Sequence, residues 1–315
     1  MKKFLLLSTV VVAAAIVFAS CNKNELESTP CDSKRAVVFS SNIVKVSLPT
    51  TRMEGSNWAK NDSVGIFMLE ENSTEVVEDM SNIKYTTQSE GEKGNFTAGD
   101  VSIFFPDNGN KVRFMSYYPY TASLNGSIYK VDVSDQTVHS TIDLLYSFDT
   151  NAKYDKKTED KKVSLTFDHK LTKIVINVKP GDGLENENFN DISVTLEGFG
   201  RKADFDLMSG TLDNISDVNP IVPLGVSPKG VFAKSYEAIV LPSANPKPAM
   251  IKFDLNNGTE PDGTNDDIYT WNFSETALLD GTEYIYNVTV KRSGIVVEAE
   301  INNWSDGGEG DIDAE

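Results

Sequence analysis

The sequence predicts an all-β protein made of two sandwich domains in tandem, and three observations carry that prediction. Short runs rich in Val, Ile, Phe, Tyr and Thr alternate with polar residues or concentrate apolar ones, as strands do and 3.6-residue helices do not. Gly, Asn, Asp and Pro punctuate these runs, and no alternation of strand and helix patterns is present. The stretch Lys153 to Lys162 carries eight charges in ten residues with almost nothing to bury, and it divides the chain into two pieces of sandwich size.

The first element is an address. Residues 1–20 have a basic start (Lys2, Lys3), an apolar run from Phe4 to Phe18, and Ala19-Ser20 directly before Cys21. That order is a lipoprotein-type signal peptide with Cys21 as the lipidated N-terminus; an ordinary secretory peptide cut nearby is the alternative. The apolar run is too short to cross roughly 30 Å of hydrocarbon as a helix. Several acyl chains on Cys21 give a stable membrane anchor where one would not. Residues 21–35, rich in Asn, Ser and Glu, are expected to be a flexible tether. With Cys21 acylated, Cys31 has no partner in the chain, so packing and not a disulfide must hold the fold.

The strand candidates follow in order. Val37 to Leu48, Ser63 to Leu69, Val101 to Phe105 and Val112 to Tyr118 fall in the first domain, residues 36–162. The second, residues 163–315, holds Val163 to Phe167, Lys173 to Val178, Ile192 to Leu196, Tyr236 to Leu241, Met250 to Leu255, Tyr284 to Lys291 and Ile295 to Ile301. Turn signals separate them, among them Asn125-Gly126, Pro180-Gly-Asp-Gly183 and Ser293-Gly294. Ser274 to Leu279 is the one helical candidate.

Composition removes whole classes of function. With 47 acidic against 29 basic residues and a formal charge of −18, the chain cannot neutralise nucleic-acid phosphates. Two cysteines and two histidines match no zinc-site spacing. Gly198-Phe-Gly-Arg-Lys-Ala203 spells a phosphate fingerprint but runs on as strand sequence, so a β-turn is expected. Gly225-Val-Ser-Pro-Lys-Gly230 is one residue too long for a nucleophile elbow. Asp262, Asn265, Asp266 and Asp267 lack the order of a calcium loop and read as a solvated turn. His169, in Phe167-Asp-His-Lys-Leu171, is expected to bond a neighbouring carbonyl. Trp58, Trp271 and Trp304 are expected in the core more than on a sugar platform. No catalytic residue, metal site or cofactor is assigned, and the chain is not read as an enzyme.

The order of certain residues resembles the fimbrillin-like (Mfa-like) pilins and surface lipoproteins of Bacteroidota. The residues are Pro49-Thr-Thr-Arg52 followed by Trp58 and Asn61-Asp-Ser-Val-Gly-Ile-Phe-Met68; Tyr117-Tyr-Pro-Tyr120; Asp143-Leu-Leu-Tyr146; Phe167 to Ile174; and Tyr284-x-Tyr-x-Val-x-Val290 with Ile301-x-x-Trp304. The resemblance implies two transthyretin-like β-sandwiches, a lipid anchor in the outer membrane with surface exposure, and assembly into a fimbria. It also implies partners: lipoprotein-processing machinery, an arginine-specific protease that removes the first strand, and other fimbrial subunits joined by donor-strand exchange. Here the removable strand is Val37 to Leu48, with Val38, Ser40, Asn42, Val44, Val46 and Leu48 on one face, and Arg52 is the processing site; Arg35 is the weaker competitor. The residues after Trp304 carry a single large apolar side chain, Ile312, and read as a poor donor strand, which points to a tip or accessory subunit with an adhesive role. A monomeric surface lipoprotein binding glycan or protein ligands is the alternative, and it predicts an exposed aromatic cluster.

Overall fold

The computed structural model describes residues 35–43, 57–185, 189–228, 230–246, 249–255 and 268–304. These residues belong to one compact unit that begins at Arg35. Among them the chain is all-β, with eighteen strands and three single-turn 3-10 segments.

The first half contributes β1 (Val38–Ile43), β2 (Ser63–Glu70), β3 (Ile83–Thr87), β4 (Lys93–Ala98), β5 (Val112–Tyr118), β6 (Ile128–Asp132), β7 (Leu145–Phe148) and β8 (Lys162–His169). Seven of these close a barrel in the order β1-β4-β3-β2-β5-β7-β8. Separate stacked sheets were expected; the closure is the work of β1, which pairs antiparallel with β4 and parallel with β8. Without β1 the same strands would form an open sheet with β4 and β8 as its edges.

The second half contributes β9 (Thr172–Pro180), β10 (Ser193–Glu197), β11 (Gly200–Asp206), β12 (Thr211–Val218), β13 (Leu224–Val226), β14 (Lys234–Val240), β15 (Met250–Asp254), β16 (Ile268–Asn272), β17 (Thr282–Lys291) and β18 (Gly294–Asn303). A five-stranded sheet runs β13-β14-β9-β17-β18, and a three-stranded sheet runs β10-β15-β16. A further sheet, β12-β11-β6, takes its end strand from the first half.

Burial explains this sharing. In β2 and β5, Val64, Ile66, Met68 and Phe114 fill the barrel, whereas Phe67, Leu69, Met115 and Tyr117 on the opposite faces join the core of the second half. Strands buried on both faces read as continuous apolar runs, and Gly65-Ile-Phe-Met-Leu69 is one. Gln136 ties the halves further: its amide accepts from the Ile239 N–H at 2.8 Å and donates to the Ile239 carbonyl at 2.9 Å.

Two expectations change, and the charged run proves to lie inside a sheet. The break predicted between residues 162 and 163 falls at the start of β8, and the charged run Lys153–Lys162 connects two strands of the barrel, β7 and β8. The run is solvated as its charge requires, but a solvated loop can lie inside a sheet as readily as between domains. Val101–Phe105 is not a strand; Ile103 and Phe105 are buried, and the Ile103 N–H donates to the Tyr85 hydroxyl at 2.9 Å. Ser274–Leu279 is not helical, because Ser243 and Leu278 bridge as extended backbone.

Candidate functional site

The leading strand and its seat form the site. Six residues long, β1 registers Phe39 against Phe96 and Asn42 against Lys93 on one side, and Val38 against Lys162 through Ile43 against Phe167 on the other. Its inward residues Phe39, Ser41 and Ile43 are buried, as is Val37 just before it, while Val38 is 46% exposed. The face holding Val38, Ser40 and Asn42, expected to be the apolar one, therefore points outward. Phe39 decides the register, because it has the most apolar surface to bury and a one-residue slip would turn it to solvent. Val44, Val46 and Leu48 lie outside the described residues.

Phe39 is held edge-on by Tyr85 and Phe114, each with ring centroids 5.0 Å away. Next to it the fit is poorer. The Ser41 hydroxyl is buried without a hydrogen-bond partner, which costs about 1–3 kcal/mol. Across from it, Gly94 leaves the room: a Cβ there would come 2.7 Å from Ser41 Oγ and 2.9 Å from the Phe96 ring. Thus β1 is clamped by one aromatic anchor and weakened by one orphaned hydroxyl. Neither Phe39, Ser41 nor Gly94 stands out in the sequence; only the pairing of β1 with β4 reveals them as a unit.

Of the scattered residues singled out in the sequence, Trp58 packs in the barrel core beside this seat, and the others described lie elsewhere. Trp58 is buried edge-on against Phe96, Tyr118 and Phe167. His169 bonds the Asp143 carboxylate at 3.0 Å, not a carbonyl, and stacks on Trp304 with centroids 4.1 Å apart. Trp271 is partly buried on β16 against Phe273 and Tyr286. Gly198 is a turn with φ +85°, as expected, and Gly200 opens β11. Arg35 is exposed. Cys21, Cys31, Arg52, Asp262, Asn265, Asp266, Asp267 and Ile312 lie outside the described residues. Among the described residues no group of His, Cys, Asp and Glu could hold a metal ion, and no helix is long and apolar enough to cross a membrane.

On the outer face of the five-stranded sheet, Lys173 bridges Glu237 at 3.4 Å and Glu283 at 3.1 Å. His139 lies 4.0 Å from Glu237. Burial holds the His139 imidazole below its ordinary pKa; Glu237 opposes that shift and Lys173 adds to it.

The profile of a family described as fimbrillin-like matches residues 51–304. The chain belongs to the fimbrillin-like family. A Bacteroides uniformis protein named as fimbrium subunit Fim1C is 29% identical over 305 residues, covering 94% of each chain. The crystal structure of a protein from Bacteroides uniformis, described as a cell adhesion protein, superposes with a TM-score of 0.68 at 28% identity, over 88% of this chain and 100% of that one. A fimbrilin from Porphyromonas gingivalis shares the fold at a TM-score of 0.52 and 10% identity, over 87% of this chain and 99% of that one. As a fimbrillin-like protein, the chain belongs with the subunits of fimbriae, which are cell-surface appendages. The matched region begins beyond β1 and ends at Trp304.

Proposed function

We propose that this fimbrillin-like protein reaches the outer-membrane surface as a lipid-anchored precursor and, once processed, is a surface-exposed fimbrial subunit that accepts a neighbour's strand in place of β1. In this reading its two halves act as tandem transthyretin-like β-sandwich domains. The observation that carries it is the position of β1 between β4 and β8: removing it opens two ladders and an aromatic slot at once, and a donated strand refills both. Lipidation at Cys21 and cleavage after Arg52 are the processing steps, supported by the signal sequence and by the place of Arg52 between β1 and Trp58. A tip or accessory position with an adhesive role toward a surface ligand belongs to the same reading.

The alternative, a monomeric ligand-binding lipoprotein, predicted an exposed aromatic cluster. Among the described residues the exposed large apolar side chains are all aliphatic, and Trp58 and Trp304 are buried.

Mass spectrometry of the protein from assembled fimbriae is expected to give an N-terminus at Met53. A lipidated Cys21 terminus persisting in assembled material would overturn the exchange. A chain beginning at Met53 should bind a synthetic peptide of residues 35–43, and Phe39→Ala in that peptide should weaken binding.

A further inference from the structure

We propose that the free edge of β18 is a second strand-docking site, and that its occupant is an extended partner segment alternating apolar and basic side chains. This holds whether or not β1 is exchanged.

Sheet edges invite pairing, and proteins blunt them with short strands, bulges or covers. Among the described residues the three open sheets end in β10, β16, β12, β6, β13 and β18. Four of these are three to five residues long. The fifth, β12, is broken by a register shift against β11 and by positive φ at Asn214 and Asp217. Only β18 is left unblunted: ten residues in ten unbroken register pairs with β17, from Thr282 opposite Asn303 to Lys291 opposite Gly294.

Its two faces define the occupant. On the core side, Tyr284, Tyr286, Val288 and Val290 of β17 are buried; the covering layer, with β16 beside β18, reaches Ile295 and Val297 but stops short of the other half of the strand, where Ile301 is 57% exposed and Ala299 is exposed too. On the other side, Val296 is 48% exposed and stands in line with the carboxylates of Glu298 and Glu300. A strand laid along this edge therefore puts alternate side chains beside Ile301 and beside the two glutamates, so apolar residues fit one face and Lys or Arg the other. A second β18 is a poor occupant, since it would set Glu298 and Glu300 of two copies on one face of a chain that already carries −18.

The test uses the full mature chain with β1 in place and an alternating Val–Lys decapeptide as probe, with a Val–Glu decapeptide as control. Hydrogen exchange should show peptide-dependent protection of β18 amides and none at β4 or β8. Glu298→Lys/Glu300→Lys should weaken the Val–Lys peptide by about tenfold or more, and Ile301→Lys, on the opposite face, should do so independently; circular dichroism checks that each variant is folded. Equal affinity for the Val–Glu peptide, affinity unchanged by both variants, or no protection of β18 would overturn the proposal. So would protection of β18 by self-association without peptide. Protection of β4 and β8 instead would move the site to the β1 seat and leave the strand-exchange reading standing.

Discussion

The first and last strands described here are opposites. β1 is six residues long, has a neighbour on each side and buries its whole inward face; β18 is ten residues long, has one neighbour and leaves apolar side chains in water. Hydrogen-bond count alone does not separate them. What differs is the apolar surface removed from water, which at about 1.5–3 kcal/mol for a fully buried large side chain dominates the energy of a short strand. A strand near the start of the described chain is thus central to its sheet, while the longer strand near the end is peripheral.

The sharpest way to break this contrast is Phe39→Ala. Emptying the slot between Tyr85 and Phe114 should lower unfolding stability by about 3–5 kcal/mol in chemical denaturation; a loss below about 1 kcal/mol would put β1 on a par with an edge strand. Next in size, Gly94→Ala should cost about 1–3 kcal/mol, since its new Cβ collides with Ser41 Oγ and the Phe96 ring. Adding Ser41→Gly should recover part of that loss, and no recovery would mean that the two residues are not a unit.

Acid should weaken the packing of His139, which lies between β6 and β7 and meets Glu237 of β14. The folded-state pKa of His139 lies below its ordinary 6.5, so the unfolded chain binds the proton first. The stability linked to His139 is then complete above pH 6.5 and is lost as pH falls through the folded pKa. Thermal melts from about pH 7 down to about pH 5 should flatten in His139→Gln, and an unchanged slope would remove His139 as the cause. Smallest of all, Glu298→Lys on the open edge should change stability by no more than about 0.5 kcal/mol by the same melts.

Much of the fold is legible in residue order. The apolar runs of β2, β5 and β17 and the Ser293-Gly294 turn give strands within a residue or two of those observed. Other strands were missed because they bury too little: β12 is exposed along most of its length, and β13 has three residues. The candidate site was half legible. A strand at Val37 was readable from its β-branched residues, but its inward face was not, because the more numerous apolar residues of 44–48 outweighed the single Phe39 in a simple alternation count. Closure of the barrel, and with it Gly94 and Ser41 as partners, depends on parallel pairing of strands more than a hundred residues apart, which no local pattern encodes.

One property of the β1 seat bears on direction. Since β1 runs with β8 and against β4, those two walls run opposite ways. A strand threaded head-first or tail-first would meet one parallel and one antiparallel wall alike, so the backbone is indifferent to polarity. The choice of orientation falls to the side chains, and above all to whichever residue reaches the cage of Tyr85 and Phe114.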